Sequence, residues 1–489
     1  LIGNAAHFVE IKTFHSYCFD LLGRIGNLED AKNVVAMAAQ MINDKEVEPN
    51  RIAKTVLVID EAQDMSADEY ALVRALMTAN EEMRVIAVGD DDQNIFEFRG
   101  SDSKYMGQLL QETQSRLMEM TENYRSSKHV VDLANSFVTG IKRRLKFSPI
   151  VSMSQNNGFV GVYHHVSSMM YQPLVKNLLA NQRNGSVSVL TQTNEEAVIL
   201  VALLKKHGVN SKLVQSMDGF RFWNIAEVRM FLKLIEHRTK TPVIAEEVWE
   251  EAKRKTYSIY ENSTSLQFLK RCIVLFEQTN KTKYMTDFKE FIFESSVEDF
   301  YEPNESDVVV STIHKSKGRE FDDVYMLIAE PQQMTDEEIR RYYVGATRAK
   351  QRLFIHTDSS IFDRMPADEH YYDEQQYDTP DEIVLQLSHK DVNLGFFKSR
   401  KKEILALRAG DKLQFKNNYL FASQLNTPVC QLSQKMQAEI NQWVEKGYCV
   451  SSASIRFIVA WKPKDAPAEE EETAVILADL TLEHSSTRN

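Results

Sequence analysis

The sequence predicts an α/β fold built on parallel sheets, and three stretches carry that prediction. Val56-Leu-Val-Ile59 is a β-rich apolar run that stops at Asp60-Glu61. That is the form of a buried parallel strand delivering carboxylates to its C-terminal end. Arg84 to Val88 repeats the pattern and stops at Gly89-Asp-Asp-Asp-Gln93. After residue 306 the apolar runs Val308–Ser311, Val324–Ile328 and Leu353–His356 resume the alternation, with a helix expected from about Thr335. In open α/β sheets the C-terminal strand ends are where ligands sit. There, one carboxylate can hold Mg²⁺ bound to a nucleotide, and its neighbour can orient or deprotonate a water for attack on a γ-phosphate. An apolar strand followed by Asp-Glu is, by itself, more often a strand end running into a solvated turn.

Taken in order, residues 8–12 predict a short strand. Thr13-Phe-His-Ser-Tyr-Cys-Phe-Asp-Leu-Leu22 has apolar positions at helical spacing after Ser16. It reads either as a Ser-capped helix with a buried aromatic face or as a turn whose hydroxyl and imidazole touch a ligand, and the residues leave both open. Residues 24–54 are polar and helical in pattern. A helix over Ala67 to Thr78 then separates the two strands that end in carboxylates. Gln93 stands where it can sense a γ-phosphate. Phe96 and Phe98 beside Arg99 have the composition of a base-stacking platform, although core packing at strand spacing gives the same pattern. Ser126 or Ser127 caps a helix over Lys128 to Ile141 and places Arg125 near its start. A strand over Ser186 to Leu190, a helix over Asn194 to His207 and an amphipathic helix within Phe220 to His237 follow. Residues 238–304 lack strand patterning and read as an all-α insertion. Residues 361–388 are acidic and tyrosine-rich, a linker pattern. Residues 390–416 are basic, which more often means a solvated helix face than a nucleic-acid contact. A helix over 432–446 and strands over Ile455–Trp461 and Ala474–Leu480 complete the chain.

The chain has 489 residues, enough for two to four domains. Its net charge of −12 argues against coating nucleic acid by bulk charge but leaves room for a local basic channel. No apolar run approaches the roughly 18 residues that span a bilayer. The first residues have no signal-peptide pattern, and Cys18, Cys272, Cys430 and Cys449 are scattered. A cytoplasmic protein with no membrane partner is the expectation.

Six motifs occur in one order: Thr-Phe-His-Ser from residue 13, Asp-Glu-Ala-Gln from 60, Val-Gly-Asp-Asp-Asp-Gln-Asn-Ile-Phe-Glu-Phe-Arg-Gly from 88, Asn-Tyr-Arg-Ser-Ser from 123, Thr-Ile-His-Lys-Ser-Lys-Gly-Arg-Glu-Phe from 312, and Tyr-Val-Gly-Ala-Thr-Arg-Ala from 343. Together they resemble the UvrD/Rep/PcrA family of superfamily 1 DNA helicases. The resemblance covers roughly three quarters of the chain and implies two RecA-like parallel-sheet domains, the first incomplete here, with small helical insertions. A small C-terminal α+β module lies outside it. The implied division is 1–118 for the first domain with a short insertion at about 24–54, 119–237 and 306–360 for the second, 238–305 for its helical insertion, 361–389 for the linker and 390–489 for the accessory module.

The resemblance also implies ATP and Mg²⁺ as cofactors, and it assigns roles. Asp60 resembles the Mg²⁺ carboxylate, Glu61 the general base and Gln93 the γ-phosphate sensor. Arg125 and Arg348 resemble the arginines that neutralise the γ-phosphate. Tyr124 resembles the adenine-stacking ring and Glu320, beside Gly318, the ribose contact. Thr13, His15, Phe96, Phe98, Arg99 and His314 fall where the family touches DNA. The implied activity is ATP-dependent movement, 3′ to 5′, on single-stranded DNA or DNA with a single-stranded tail, in repair or recombination. A protein partner for the C-terminal module is a further expectation.

The family's phosphate loop, G-x-x-x-x-G-K-[ST], is absent, since no Gly is followed by Lys. It precedes the other motifs in the family, and Leu1 is not an initiating residue. The chain is therefore expected to begin inside something longer, to bind ATP poorly alone and to be inactive as given. The alternatives are an ATP-silent DNA-binding or scaffold module derived from a helicase, and the helicase arm of a larger fusion. The family often has Tyr and Trp where this chain has Phe96 and Phe98. The insertions are short beside the family's large ones.

Overall fold

The computed structural model describes residues 9–22, 33–97, 100–112, 115–183, 185–214, 220–239, 241–300, 307–423, 426–462 and 472–485. The strands β1 (Val56–Ile59) and β2 (Arg84–Ala87) pair in parallel, Val56 opposite Arg84 and Ile59 opposite Ala87. Their crossover is the helix Ala67–Ala79, which starts in a capping box. The Ser66 hydroxyl accepts from the Glu69 amide at 3.3 Å, and the Glu69 carboxylate accepts from the Ser66 amide at 2.8 Å. Leu72, Val73 and Leu76 bury its inner face, against which the helix Val34–Asn43 packs. Parallel pairing is as expected, but full burial is not. Val56, Val58, Ile86 and Val88 are exposed on the outward face of this two-stranded sheet. Parallel strands are buried when both faces are covered, and the described residues cover only one. The strand expected over 8–12 is also absent: residues 9–13 have no regular structure.

After the short parallel pair β3 (Glu122–Asn123) and β4 (Val151–Ser152) comes a seven-stranded sheet. It comprises β5 (Phe159–His165), β6 (Val187–Thr191), β7 (Ser211–Leu213), β8 (Val308–Thr312), β9 (Phe321–Ile328), β10 (Ala349–Thr357) and β11 (Glu369–Asp373) in the order β11-β5-β10-β9-β6-β8-β7. Every pairing in it is parallel. Continuous apolar runs make this possible: β6 and β8 are buried at every position, with helices on both sides. The helices Asn194–Lys206 and Asp336–Ala346 start at Thr193 and Thr335, whose hydroxyls accept from the third helical amide.

The insertion is all-α, with helices Glu246–Ile259, Leu266–Thr279 and Met285–Glu294. Trp249 anchors it, edge-on to Phe231 at 5.0 Å and to Phe288 at 4.9 Å. The acidic stretch 361–389, expected as a linker, instead supplies an edge strand to each of two sheets. These are β11 and β12 (Glu382–Gln386).

The C-terminal part is a six-stranded antiparallel sheet in the order β12-β17-β16-β13-β14-β15. Its other strands are β13 (Lys412–Lys416), β14 (Tyr419–Ala422), β15 (Thr427–Gln431), β16 (Tyr448–Trp461) and β17 (Thr473–His484). The helix expected over 432–446 is present as Gln434–Glu445. The basic run 390–416 is two short helices and β13, not one solvated helix. Most of the acidic stretch 464–472 lies outside the described residues. One apolar core continues from the first helices through one face of the seven-stranded sheet into the C-terminal sheet, and a second core fills the other face. Among the described residues no helix is long and apolar enough to cross a membrane.

Candidate active site

The site begins at the C-terminal ends of β1 and β2. The Val88 amide donates to the Ile59 carbonyl at 2.8 Å, and the Ala62 amide to the Val88 carbonyl at 2.9 Å. Between these bonds the chain turns through Glu61 at φ 50°, a left-handed conformation uncommon outside glycine. Gln63 fastens the turn. It is fully buried, its Oε1 accepts from the Asp90 amide at 3.0 Å, and its Nε2 donates to Glu61 Oε2 at 2.6 Å. Gly89 lets the two tips approach this closely. A Cβ there would lie 2.4 Å from Gln63 Oε1 and 3.1 Å from the Ala62 amide nitrogen. Asp60 is exposed, its Oδ1 accepting from the Glu61 amide at 3.0 Å, and the Glu61 side chain is 63% exposed.

The larger sheet brings cations to these tips. Arg348, in the turn before β10, is 2% exposed. Its guanidinium donates to the Val344 carbonyl at 3.0 Å, the Arg319 carbonyl at 3.3 Å, the Thr347 hydroxyl at 3.1 Å and Gln93 Oε1 at 3.1 Å. All four acceptors are neutral, and among the described residues no carboxylate lies within ion-pair distance of it. Burial, then the charge of Arg125, pushes Arg348 down to about 10. Arg125 pairs with Glu320, which also meets Lys350 at 3.4 Å. Lys317 reaches from the segment after β8 to Asp64 Oδ2 at 2.5 Å and the Gln93 carbonyl at 3.2 Å, with Glu61 Oε2 at 3.8 Å. Burial raises Asp64, and Lys317 opposes that shift. Gly318, at φ 80°, supplies the turn that follows Lys317.

The three aspartates after Gly89 have a different use. Their carboxylates lie within 4.8 Å of one another, a spacing a metal could exploit, but the segment 144–146 already holds them. Arg144 grips Asp92 through two bonds of 2.9 and 2.8 Å, Lys146 meets Asp90 at 2.5 Å, and the Leu145 amide donates to Asp91 at 2.6 Å. Burial would raise Asp90, but Lys146 outweighs it and holds that carboxyl below its ordinary value.

Glu61, Gln93, Arg125, Arg348 and Glu320 thus gather where the two sheets meet, with Asp60 next to Glu61. Phe96 and His314 also come together, ring centroids 6.2 Å apart, with the Lys317 ammonium 5.2 Å from the Phe96 ring. Tyr124 is exposed, its hydroxyl bonded to Glu122. Thr13 and His15 make different contacts. Thr13 Oγ1 bonds Glu294, the Ser16 amide donates to Glu294 at 3.1 Å, and the His15 ring lies 6.1 Å from Phe293. Phe98 and Arg99 lie outside the described residues. Gln63 and Lys317 stood inside recognised motifs but drew no role, whereas nothing in the sequence marked Arg144 or Lys146 as clamps.

Comparison with known families places this arrangement. The UvrD/REP helicase N-terminal domain matches residues 26–114, and the UvrD-like helicase C-terminal domain matches 118–244 and 237–360. The chain belongs to the UvrD-like helicase family. It is 22% identical over 399 residues to DNA helicase II of Haemophilus influenzae, covering 61% of this chain and 54% of that one. It is 25% identical over 185 residues to the ATP-dependent DNA helicase PcrA of Staphylococcus epidermidis, covering 36% of this chain and 24% of that one. It is 20% identical over 347 residues to the Gabija protein GajB of Bacillus cereus, covering 63% of this chain and 64% of that one. The chain therefore spans about half or less of the two helicases. A solved C-terminal domain of a possible DNA helicase from a Lactobacillus matches 52% of this chain and 99% of its own at 14% identity. Its TM-score of 0.27 is too low to bear on the fold.

Proposed function

We propose that this chain is the motor portion of an ATP-dependent DNA helicase or translocase, working 3′ to 5′ on single-stranded DNA or on DNA with a single-stranded tail, in repair or recombination. The supporting observation is Arg348. A buried guanidinium costs several kcal/mol in desolvation unless compensated, and among the described residues Arg348 meets only neutral acceptors where the two sheets approach. A polyphosphate supplies the missing anion.

The donor set fits ATP with Mg²⁺: two exposed carboxylates on one tip and two arginines opposite. When bound, the nucleotide supplies the phosphoryl group whose transfer to water drives movement. Asp60 would hold the hard cation through oxygen, as such ions require. Glu61 accepts the proton of the attacking water. Gln93 contacts the terminal phosphate, and its bond to Arg348 relays that contact to the second sheet. Arg348 and Arg125 neutralise developing charge, so hydrolysis depends on cleft closure. Tyr124 offers an exposed ring on which the adenine would stack, and Glu320 and Gly318 would meet the ribose. Phe96 and His314 form a stacking surface tolerant of base sequence, as a translocating motor needs, and Thr13, His15, Phe98 and Arg99 take a DNA-contact role from their motif positions alone.

The test is ATP hydrolysis by the intact protein with and without single-stranded DNA, comparing wild type and Glu61→Gln. Hydrolysis should be DNA-stimulated and lost in the variant while DNA binding persists. Unchanged turnover in Glu61→Gln overturns the catalytic assignment, and equal unwinding of 3′- and 5′-tailed duplexes overturns the direction.

A further inference from the structure

The chain beyond residue 360 lies outside both family matches, and it contains a local reversal of the overall charge. The whole chain carries −12, yet residues 396–421 hold seven cations and two carboxylates. Arg408 is committed to the fold, donating to the carbonyls of Ile259, Leu405 and Leu407. Of the others, Arg400 lies beside the Phe396 ring and Lys416 opposite Tyr419. On β13 the buried Leu413 alternates with exposed Lys412, Gln414 and Lys416, and on β14 the buried Leu420 and Ala422 leave Tyr419 and Phe421 on the open face. Lys416 is directly cross-strand from Tyr419.

The rings are held in place. Gln431 donates to the Tyr419 hydroxyl at 3.0 Å and itself accepts from Asn393 at 2.8 Å. The Tyr419 ring lies 5.8 Å from that of Phe396, and the Arg400 guanidinium lies 5.8 Å from the Phe396 centroid. Lys402 is exposed on the helix Lys401–Leu405, which the buried Phe397 and Ile404 anchor to the module.

We propose that this face is a second binding surface for single-stranded DNA, separate from the path through the motor. Cations set at intervals beside half-buried rings are what recognises a strand with unpaired bases, because phosphates pair with the cations and bases stack on the rings. A merely solvated charged face does not need rings immobilised between its cations. Charge complementarity favours a polyanion, and the same chain carries a motor whose relatives are named DNA helicases. A strand engaged at both places gains avidity from the linkage alone.

The experiment uses the full chain. Binding of a labelled oligothymidylate of about 30 nucleotides, long enough for two sites of roughly 10 each, is measured across a salt series. The proteins compared are wild type, Lys402→Ala/Lys412→Ala/Lys416→Ala, Tyr419→Ala, Tyr419→Phe and His314→Ala. The triple variant should bind about tenfold more weakly and flatten the log–log salt slope by about 2, near 0.7 per lost phosphate contact. Tyr419→Ala should also weaken binding about tenfold, while Tyr419→Phe, which keeps the ring, should bind like wild type. Unchanged affinity and slope in the triple variant overturn the proposal, even where Tyr419→Ala perturbs folding. If His314→Ala alone weakens binding, the motor path stands and this surface does not. If only the triple variant weakens it, the surface stands and the DNA role of His314 falls. Tighter lysine-dependent binding of oligouridylate than of oligothymidylate overturns the assignment to DNA.

Discussion

The guanidinium of Arg348 donates to Oε1 of Gln93 at 3.1 Å, joining the turn before β10 to the tip that follows β2. These residues are 255 positions apart, and their bond is a direct polar link between the two parallel sheets. Arg348→Ala should lower the DNA-stimulated turnover of the intact protein by about 10³, the scale of an arginine acting on a transferred phosphoryl group. Arg348→Lys should not restore it, because an ammonium cannot reach Val344, Arg319 and Gln93 with one planar fork. Steady-state ATP hydrolysis checks both, and near-normal turnover in the lysine variant would remove the argument.

Lys317 makes the second bridge across the cleft. Lys317→Met leaves Asp64 without its ion pair at a site that is 27% exposed. The cost should be about 2 kcal/mol, between the values for surface and buried pairs. Adding Asp64→Asn should recover most of it, since no unpaired carboxylate remains. Chemical denaturation of the four proteins of this cycle measures the coupling, and additive losses would show that the two residues do not act as a pair.

Gly89→Ala places a Cβ 2.4 Å from Gln63 Oε1, with backbone nitrogens at 3.1 Å behind it. The side chain can shift and the backbone cannot, so Gln63 should lose its bond to Asp90. A loss of about 2 kcal/mol in stability is expected. Turnover should fall too, because Gln63 also positions Glu61. A variant with normal stability and hydrolysis would count against this account of the tip.

Two histidine chains give the seven-stranded sheet a pH dependence. His165 lies 3.3 Å from Asp373, and its Nε2 lies 3.0 Å from His356 Nδ1. His164 lies 3.3 Å from Asp363 and 3.0 Å from His370. Burial lowers His164, His165 and His356, the last well below its ordinary value, and Asp363 and Asp373 only partly oppose it. Histidines lowered in the folded state take up protons first in the unfolded chain. Their contribution is therefore intact above about pH 6.5 and shrinks as pH falls below it. The midpoint of thermal unfolding should drop between about pH 7.5 and 5.5, and His356→Gln should flatten that dependence. A midpoint that rises on acidification in this window would contradict the sign.

Much of this protein was legible because its information is local. Val56–Ile59 running into Asp60-Glu61, and Arg84–Ala87 running into Gly89-Asp90, announce strands and their ends through residues adjacent in the chain. The insertion read correctly as helical for the same reason. β11 did not, because Glu-His-Tyr-Tyr-Asp has no apolar period. It is a strand because it pairs with β5, placing His370 and Asp373 beside the histidines of that strand. The basic run was misjudged for another reason: Lys412-Leu-Gln-Phe-Lys416 alternates with the period of a strand, but its charges outweighed that short pattern.

The amino-acid order was sufficient for the parallel-sheet class, the motif order and the residues worth suspecting, since each rests on residue type and short-range spacing. It could not specify that Arg348 meets no carboxylate among the described residues, that Arg144 and Lys146 hold the three aspartates, or that Thr13 meets Glu294. Those outcomes depend on which surfaces pack together across hundreds of residues, and burial and electrostatic pairing exist only once they have done so.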